Sequence, residues 1–503
     1  MNAFRTIAIL VLIEALPVLA QLPTEPVEIG HEPQFLFDGH VVDNHWAIRY
    51  KRQAVQRVFH QAEKHAGGPV LEGDQPSFLW VVRDEQAGLF RMYYQANFRS
   101  DVADAEGGRK YTTRIAYAES KDGVEWTRPD LGLFDFHQTK PNNVVVARQN
   151  QPAFEACSPV ILEVPEEDRR GFRWLMLYRA KGRGLGEDSG IRVAGSNDGV
   201  HWKPEDDQVI AHLHSDHHNT ISWDPVRREF VMFCRAKQIY RAFGEEMLDT
   251  GASRRVARFT SPKLWTDWMD QKDRWPQTIL VPDEIDSEKH FNFFYGMPTV
   301  YRHGVYWGFL EPFRINDFIQ TELAISRDGV HFTRFADRQP IIPYGKEGSW
   351  DDEMIFASPS WVEVGDEWWI YYSGWDGPHG TTDRTGAIGL AKLRREGFVS
   401  MRGPAGGGVV CTRVLRWPGG DLIVNADCGD EGVLRVRVSD PGRKPIAGLN
   451  YDDCEDFRGD SVRHKVTWKG TSISALKGRL VRLEFFLQNA DLYTFQAAAL
   501  IRT

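Results

Sequence analysis

One pattern of apolar and polar positions returns along most of the chain. An alternating run is followed by Ser, an Asp-Gly turn and an aromatic residue three positions after the glycine. The clearest copies are Ile115–Trp126, Ile191–Trp202 and Leu323–Phe332, and degenerate copies end near Trp268 and Phe398. Because Asp-Gly readily adopts the positive φ of a tight turn between antiparallel strands, each copy predicts a β-hairpin.

Each copy is preceded by a second pair of apolar runs, so every unit holds four predicted strands. The first runs are Ser77–Val82, Ser158–Val164, Asn219–Trp223, Met297–Tyr301 and Ser358–Val364, and their partners are Phe90–Tyr94, Trp174–Tyr178, Phe230–Phe233, Tyr306–Leu310 and Trp368–Tyr372. The aromatic residue that closes each unit returns every 64 to 76 residues. Four-stranded units repeated around an axis form a β-propeller, and this chain has five of them.

The predicted fold class is therefore all-β, a five-bladed β-propeller followed by a C-terminal β-sandwich. We expect the propeller to span residues 31–403, with Phe35–Val42 adding a strand that helps to close the ring. Pro404–Val409 is rich in glycine and indicates a junction. Beyond it, short alternating strands separated by polar turns suit a sandwich over residues 404–503.

The first 20 residues have the pattern of a signal peptide. Arg5 supplies a short positive region, Thr6–Leu19 is mostly apolar, and small residues predict cleavage after Ala20. No later stretch is long and apolar enough to span a bilayer. We therefore expect a secreted or periplasmic protein without a membrane span.

Composition narrows the choice of partners. The 503 residues carry 61 Lys+Arg against 70 Asp+Glu, a net charge of −9, which gives no electrostatic footprint for nucleic acid. A hydrophobic content of 42% supports a large core. Among the five cysteines, Cys411, Cys428 and Cys454 could supply one disulfide, whereas Cys157 and Cys234 lie in apolar runs and are expected to be buried thiols. Without a Cys-x-x-C pair, a structural zinc site is not expected.

Acidic residues stand just before the innermost strands of four of the five predicted blades. The start of such a strand can face the central funnel, where ligands of propellers are usually held. Converging carboxylates suit glycoside hydrolysis, in which one protonates the leaving oxygen and another attacks or activates water. The candidate catalytic residues are Asp74, Glu155, Asp216, Asp352 and Glu353, with Asp351 completing the acidic triplet.

Polar and aromatic neighbours of these acids are candidates for substrate binding. They are Phe154, His217, His218, Asn219, Asn292, Tyr295, Trp350 and Arg114. Arg109, Arg114 and Arg183 are candidates for binding an acidic sugar, although surface arginines usually serve only to keep a protein surface hydrated. Adjacent histidines diverge on an extended chain, so hydrogen bonding to substrate or a plain solvated loop is favoured over a metal site. The turn itself explains Asp122, Asp198 and Asp328.

The five long blades, the Ser-x-Asp-Gly-x-x-Trp hairpins and the C-terminal strands resemble the invertase, arabinanase and levansucrase superfamily, glycoside hydrolase families 32, 43, 62 and 68. A closer resemblance, through Tyr117–Phe134, Trp223–Arg227 and Gly397–Ser400, is to exported family-32-like proteins frequent in planctomycetes. It implies a first-blade Asp as nucleophile or base, a second Asp and a Glu acid. By blade position Asp74 is the candidate first acid, and Glu155 resembles the acid Glu of a Glu-Cys motif. A strict blade count instead gives Asp216 the third-blade role. Some members hold a central calcium ion, and no other cofactor is expected.

Two functions of different classes follow. The first is an exported glycoside hydrolase that cleaves a plant or algal oligosaccharide or polysaccharide. The second is a carbohydrate-binding propeller that has lost catalysis, which the absence of a Trp-Met-Asn-Asp-Pro stretch favours. A lyase or phosphorylase on the same scaffold is a weaker third, since fold alone does not separate these activities.

Overall fold

The computed structural model describes residues 25–43, 55–99, 111–134, 142–147, 154–181, 190–203, 208–213, 215–235, 254–270, 276–314, 317–381 and 383–499. The predicted signal peptide, Arg109 and Arg183 lie outside these ranges. Two compact units are present: residues 58–400, and the described residues before Val58 together with those from Met401 onward. Within the described part of the chain, no helix has the length and apolar character needed to cross a membrane.

The first unit contains five antiparallel sheets, one for each predicted repeat. Four short strands precede them: β1 (Val27–Glu28), β2 (Gln34–Phe35), β3 (Gln56–Phe59) and β4 (Glu63–Lys64). The first blade consists of β5 (Ser77–Asp84), β6 (Leu89–Arg99), β7 (Tyr111–Ser120) and β8 (Val144–Val146), and the second of β9 (Glu155–Ile161), β10 (Trp174–Lys181), β11 (Gly190–Ser196) and β12 (Gln208–Ala211).

The remaining blades follow the same order, from the innermost strand outward. The third consists of β13 (Thr220–Asp224), β14 (Glu229–Arg235), β15 (Val256–Ser261) and β16 (Gln277–Leu280). A two-residue strand, β17 (Phe293–Phe294), precedes the fourth blade of β18 (Thr299–Arg302), β19 (Val305–Leu310), β21 (Glu322–Ser326) and β22 (Thr333–Arg334), and pairs with β20 (Pro312–Phe313). The fifth blade consists of β23 (Met354–Ala357), β24 (Val362–Val364), β25 (Glu367–Trp375) and β26 (Gly386–Arg394), with β4 as its outer strand.

The Asp-Gly turns fold as their sequence predicts. In the first blade, Ser120 Oγ accepts a hydrogen bond from the amide of Gly123, whose φ is 78°. Asp122 Oδ1 accepts from the amides of Val124 and Glu125, and the copies at Asp198 and Asp328 repeat this arrangement. These three aspartates are therefore turn formers.

Hydrogen bonds join each blade to the next around a closed ring. Tyrosines from the second strands make several of them by reaching into a neighbouring blade. One such bond can be named for each pair of neighbouring blades, from the first and second blades round to the fifth and first. The bonds run from Tyr93 Oη to the Gly199 carbonyl (2.7 Å), from Trp265 Nε1 to the Asp168 carbonyl (2.6 Å), from Tyr306 Oη to Asp224 Oδ2 (2.6 Å), from the Ala357 amide to Thr321 Oγ1 (3.0 Å) and from Tyr371 Oη to the Gly123 carbonyl (2.7 Å). The five-bladed propeller is thus complete.

The strand that completes the fifth blade is not the predicted one. β4 pairs with β26, and Lys64 Nζ lies 2.6 Å from Asp351 Oδ2. By contrast, β2 pairs with β34 (Ala490–Ala497), and Leu36 and Val41 belong to the core of the C-terminal unit. The prediction that Phe35–Val42 helps to close the ring is therefore wrong, because its apolar side chains are buried elsewhere.

The C-terminal unit has two sheets that share one hydrophobic core, an arrangement typical of a β-sandwich. Besides β1, β2 and β3, these two sheets contain β27 (Val399–Gly403), β28 (Gly408–Cys411), β29 (Leu415–Arg416), β30 (Leu422–Asp427), β31 (Val433–Ser439), β32 (Asp460–Lys465), β33 (Leu480–Gln488) and β34. All five cysteines are buried and none forms a disulfide, so the bridge expected among Cys411, Cys428 and Cys454 is not formed.

Helical structure is scarce in the described residues. It comprises α1 (Glu284–Glu288) and the 3₁₀ helices Glu166–Asp168, Trp268–Asp270 and Ile473–Leu476. Asp283 caps α1 in a reciprocal pair of hydrogen bonds with Asp286. The all-β fold class is therefore confirmed.

Candidate active site

Two kinds of position meet at one end of the propeller. Adjacent strands of a blade run antiparallel, so the start of each innermost strand lies beside the end of the second strand. Ser77 pairs with Gln95 in the first blade, and Glu155 pairs with Lys181 in the second. Residues that end the second strands are therefore as well placed for the funnel as those that precede the first.

A cavity of about 240 Å³ opens at this end of the propeller. Phe78, Tyr295, Phe356 and Trp375 supply aromatic surface, and amide, imidazole and guanidinium groups come from Gln75, Gln95, Asn97, His379 and Arg384. Aromatic faces suit the apolar face of a sugar ring, whereas a few convergent polar groups fix its hydroxyl groups. The cavity therefore has the composition of a saccharide site.

A β-bulge shapes one wall of the cavity. The register of β5 against β6 shifts between Ser77 and Leu79, and Phe78 has a φ of 41°. In β9, Ser158 has a φ of 57° beside a second register shift. Bulges re-aim side chains and are frequent beside functional sites. The bulge in β5 brings the Phe78 ring into the cavity wall.

The imidazole of His217 and the carboxyl group of Glu311 converge on Gly296. A Cβ on Gly296 would lie 2.5 Å from His217 Nδ1 and 2.9 Å from Glu311 Oε2, so only glycine leaves room for both groups. Both side chains are 1% exposed. Neither ring nitrogen of His217 nor Glu311 Oε2 has a hydrogen-bond partner within the described residues.

Burial sets the protonation states of this pair. It raises the pKa of Glu311 to about 8, against the opposing charge of Arg235. It lowers the pKa of His217 to about 3, helped by His218, Arg254 and Arg179. At neutral pH the carboxyl group is therefore protonated and the imidazole is neutral.

Asp216 and Arg235 form an ion pair next to this centre. Asp216 Oδ1 contacts Arg235 Nη1; the Arg235 side chain is fully buried, and that of Asp216 is 39% exposed. Arg235 Nη2 also donates to the Tyr295 carbonyl at 3.0 Å. Arg235 thus faces two carboxyl groups, that of Asp216 in an ion pair and the protonated one of Glu311.

His218 and Asn219 are held by backbone groups. His218 Nε2 is 3.1 Å from the Pro159 carbonyl, and burial lowers the pKa of this histidine to about 4. Asn219 Nδ2 donates to the carbonyls of Ser215 and His217. Both residues therefore shape the loop that carries Asp216 and His217.

Glu155 interacts electrostatically with Arg114. Arg114 is buried, which lowers its pKa to about 10, and the nearby charge of Glu155 opposes this shift. Phe154 is 2% exposed, so it packs in the interior. The structure thus places the catalytic candidate Glu155 close enough to the substrate-binding candidate Arg114 for their charges to interact.

Two candidates lie apart from the others. The Asp74 carboxylate is 3.7 Å from Arg128 Nε, and Asp74 and Gln75 both have a positive φ in the loop before β5. Gln75 lines the cavity, whereas Asp74 does not. Asn292 is exposed beside β17 and does not line the cavity.

The acidic triplet before β23 divides into different roles. Asp351 is buried and accepts a hydrogen bond from Tyr372 Oη at 2.8 Å, besides its ion pair with Lys64, so it belongs to the ring closure. Trp350 stacks on Tyr372 with centroids 5.6 Å apart, which explains its place without a sugar. Burial raises the pKa of Glu353, with smaller contributions from Asp352 and Asp317.

Within the described ranges, no group of three or more His, Cys, Asp or Glu side chains is arranged to hold a metal ion.

Comparisons with known proteins find similar solved structures but no matching family. No family model matches the sequence, and no protein of curated function matches it significantly. Similar solved structures include a glycosyl hydrolase from Bacteroides ovatus (15% identity, 67% of this chain and 94% of that chain, TM-score 0.44). Another is the beta-1,2-mannobiose phosphorylase from Listeria innocua (11% identity, 67% of this chain and 97% of that chain, TM-score 0.45). A third is the GH32 beta-fructofuranosidase from Bombyx mori (12% identity, 88% of this chain and 94% of that chain, TM-score 0.39). Because these TM-scores lie below 0.5, the fold assignment rests on the strand pairing described above and not on these similarities.

Several residues of the site were missed by reasoning from the sequence. They are Arg179, Arg235, Arg254, Glu311, His379 and Arg384. A signal for three of them was present, because each is a charged residue at or next to the end of an otherwise apolar second strand. Arg179 lies shortly before the end of β10, Arg235 ends β14, and Glu311 directly follows β19. A charged residue at that repeated position indicates a side chain that leaves the blade core for the funnel.

Proposed function

We propose that the protein is an exported glycoside hydrolase that cleaves a plant or algal glycan in the propeller funnel. The observation that carries this proposal is the pair of carboxyl groups around Arg235, with Glu311 protonated and Asp216 ion-paired. Glycoside hydrolysis needs one carboxylic acid and one carboxylate, and environments that separate two carboxyl groups in this way assign the roles.

In this proposal Glu311 is the general acid. Its raised pKa keeps a proton on the carboxyl group at neutral pH, ready for the leaving glycosidic oxygen. The neutral ring of His217 faces the same point and does not compete as a charged donor. Asp216, which is ion-paired with Arg235, is the carboxylate that attacks the anomeric carbon or activates a water molecule.

The cavity next to this centre holds the sugar. Phe78, Tyr295 and Trp375 contact its apolar faces, and Gln95 and Asn97 bond its hydroxyl groups. Glu155, Asp74, Asp352 and Glu353 then serve substrate binding or local structure. Of these, Glu353 is the alternative acid, because burial and two neighbouring carboxylates raise its pKa.

A carbohydrate-binding propeller without catalysis is the second candidate. The 1% exposure of both His217 and Glu311 favours it, because the acid must become accessible before it reaches a glycosidic oxygen. Hydrolysis therefore requires a small rearrangement of the funnel wall on substrate binding.

The experiment is a product assay on a panel of plant and algal glycans with wild type, Glu311→Gln and Asp216→Ala. Glu125→Gln is the matched control, since Glu125 is exposed at an Asp-Gly turn. We expect wild type and the control to release sugar, whereas both funnel variants lose activity with an unchanged circular dichroism spectrum. Glycan binding without any product from wild type would establish the binding propeller instead.

A further inference from the structure

Three guanidinium groups surround the aromatic wall of the cavity. The Arg254 guanidinium lies 4.6 Å from the centre of the Tyr295 ring, and that of Arg235 lies 5.1 Å from it. Arg384 lines the cavity and lies 5.0 Å from the Trp375 ring. Tyr295 and Trp375 both line the same cavity. Arg384 therefore lies at the cavity itself, whereas Arg254 and Arg235 contact the Tyr295 ring that forms part of its wall.

The field of these groups converges on His379, a further cavity residue. Its ring centre lies 5.2 Å from that of Tyr295. Burial lowers the pKa of His379 to about 4, and the charges of Arg254, Arg384 and Arg235 add to this effect. The charges of all three arginines therefore reach the same cavity residue, His379.

The described residues do not neutralise this charge. Arg235 is paired with Asp216, and the nearby Asp317 is paired with Arg314 at 3.3 Å. Neither Arg254 nor Arg384 has a carboxylate partner in the described part of the chain, and Arg254 Nη1 is buried there without a hydrogen-bond partner. Glu311, the remaining nearby acid, is protonated at neutral pH.

An unpaired, partly buried guanidinium is costly to retain. Its planar donors match the two oxygens of a carboxylate or a sulfate, and such charge-assisted bonds are among the stronger polar contacts of proteins. A neutral saccharide offers Arg254 and Arg384 only hydroxyl groups, which do not balance the charge.

We propose that the funnel selects saccharides carrying an anionic group, either a uronate carboxylate or a sulfate ester, and that Arg254 and Arg384 bind this group. The inference rests on the proposed role of the funnel as a glycan site, and it adds the substrate class. Arg254 supplies the buried contact, and Arg384 supplies a contact at the cavity wall.

Calorimetric titration of the full chain with two matched pairs of probes tests this proposal. One pair is trigalacturonate and its methyl ester, and the other is a sulfated galactan tetrasaccharide and its desulfated form. We expect the charged member of one pair to bind at least about tenfold more tightly than its neutral partner, since a bond to a charged group contributes about 1.5–3 kcal/mol. Which pair responds distinguishes carboxylate from sulfate.

Arg254→Gln and Arg384→Gln each remove one proposed contact. We expect each to weaken the charged probe about tenfold and to leave the neutral probe unchanged. Arg228→Gln is the control, because Arg228 is exposed in the turn after β13. Thermal melting of each variant verifies folding, and Arg384, at the cavity wall, provides a second variant if Arg254→Gln unfolds.

Three results would overturn the proposal. They are equal affinity for the charged and neutral members of both pairs, no binding of either charged probe, and an arginine variant that loses the same affinity for both members of a pair. The outcome is separable from the proposed hydrolysis. Arginine-dependent binding of a charged probe with no cleavage of any glycan would support the inference and remove the hydrolase. If instead the protein cleaves a neutral glycan in a Glu311-dependent reaction and binds charged and neutral probes equally, the hydrolase proposal stands and the proposal of an anionic substrate falls.

Discussion

His217 Nδ1 and Glu311 Oε2 point at the same space above Gly296, each without a hydrogen-bond partner among the described residues. The fold delivers them from different blades, since His217 precedes β13 and Glu311 follows β19. Glu311 is fixed by its backbone, whose amide donates to the Gly296 carbonyl at 2.9 Å. A buried neutral base thus faces a buried neutral acid, with Arg235 and its ion-paired Asp216 alongside.

Replacing Glu311 by Gln should remove the proton donor while preserving the shape of the site. We predict that kcat on natural glycans falls by about 10² to 10⁴-fold, the range that general acid catalysis contributes. An aryl glycoside of the released sugar with a dinitrophenolate leaving group needs no proton and should be cleaved by Glu311→Gln at nearly the wild-type rate. Equal losses on both kinds of substrate would contradict the role of general acid.

The ion pair of Asp216 and Arg235 should be visible in stability. Asp216→Ala leaves the buried guanidinium of Arg235 without its partner, and we predict a loss of roughly 2 kcal/mol in the free energy of unfolding. The expected value is below that of a fully buried pair, because the Asp216 side chain is 39% exposed.

The double variant Asp216→Ala with Arg235→Met provides the matched test, measured by urea denaturation. We predict that it recovers most of the stability without recovering activity, because the unpaired charge is gone but the carboxylate is still missing. A double variant as unstable as Asp216→Ala would show that the ion pair is not the source of the loss.

Stability should decrease in acid because of the buried histidines. Burial lowers the pKa of His217 to about 3 and of His218 and His379 to about 4, against 6.5 for an ordinary histidine. The unfolded chain therefore binds protons first, and the stabilisation present above pH 6.5 is lost as the pH falls toward 4. We predict a decrease in Tm over this interval that is smaller in His217→Gln and unchanged in a variant of the exposed His290, His290→Gln.

Glu311 should make the stability of the folded protein fall as the pH rises, the opposite of the effect of the histidines. Its folded pKa of about 8 lies above the ordinary 4.5, so its contribution is complete below pH 4.5 and is lost as the pH rises through 8. We predict that Tm of the wild type falls between pH 6 and 9 more steeply than that of Glu311→Gln. Parallel melting curves for the two proteins across this range would contradict the raised pKa.

Gly296 should tolerate no side chain. The Cβ of Gly296→Ala would overlap His217 Nδ1 and Glu311 Oε2, and overpacking of this kind costs about 1–3 kcal/mol. Gly39→Ala is the control, because a Cβ there meets no described atom within 4 Å. We predict lower stability and lower activity for Gly296→Ala alone, and equal melting temperatures for the two variants would contradict the convergence at Gly296.

The repeat made the ring predictable from the sequence, because the Asp-Gly turns and the alternating strands are local features. The closing strand was not predictable in the same way. β4 has two residues, Glu63 and Lys64, and no alternation, so its pairing with β26 depends on contacts made far along the chain. Phe35–Val42 has the stronger strand pattern, but its apolar residues fit the core of the C-terminal unit.

The candidate site was predictable only in part. Searching before the innermost strands found Asp216 and His217, whose loop lies beside the centre. Glu311 was missed because it follows an apolar strand and precedes Pro312, which reads as an ordinary strand end. Glu311 matters because the fold buries its carboxyl group beside His217 and Arg235, and this burial cannot be inferred from the residues next to it in the sequence.

The pH dependence of kcat/KM on a cleavable glycan tests the central role of Glu311 most directly. The account predicts that activity requires the protonated carboxyl group and falls as the pH rises through about 8. The same alkaline limb should be absent when Glu311→Gln cleaves the dinitrophenyl glycoside. An alkaline limb that persists in this variant, or wild-type activity that falls near pH 4.5 instead, would contradict Glu311 as the acid.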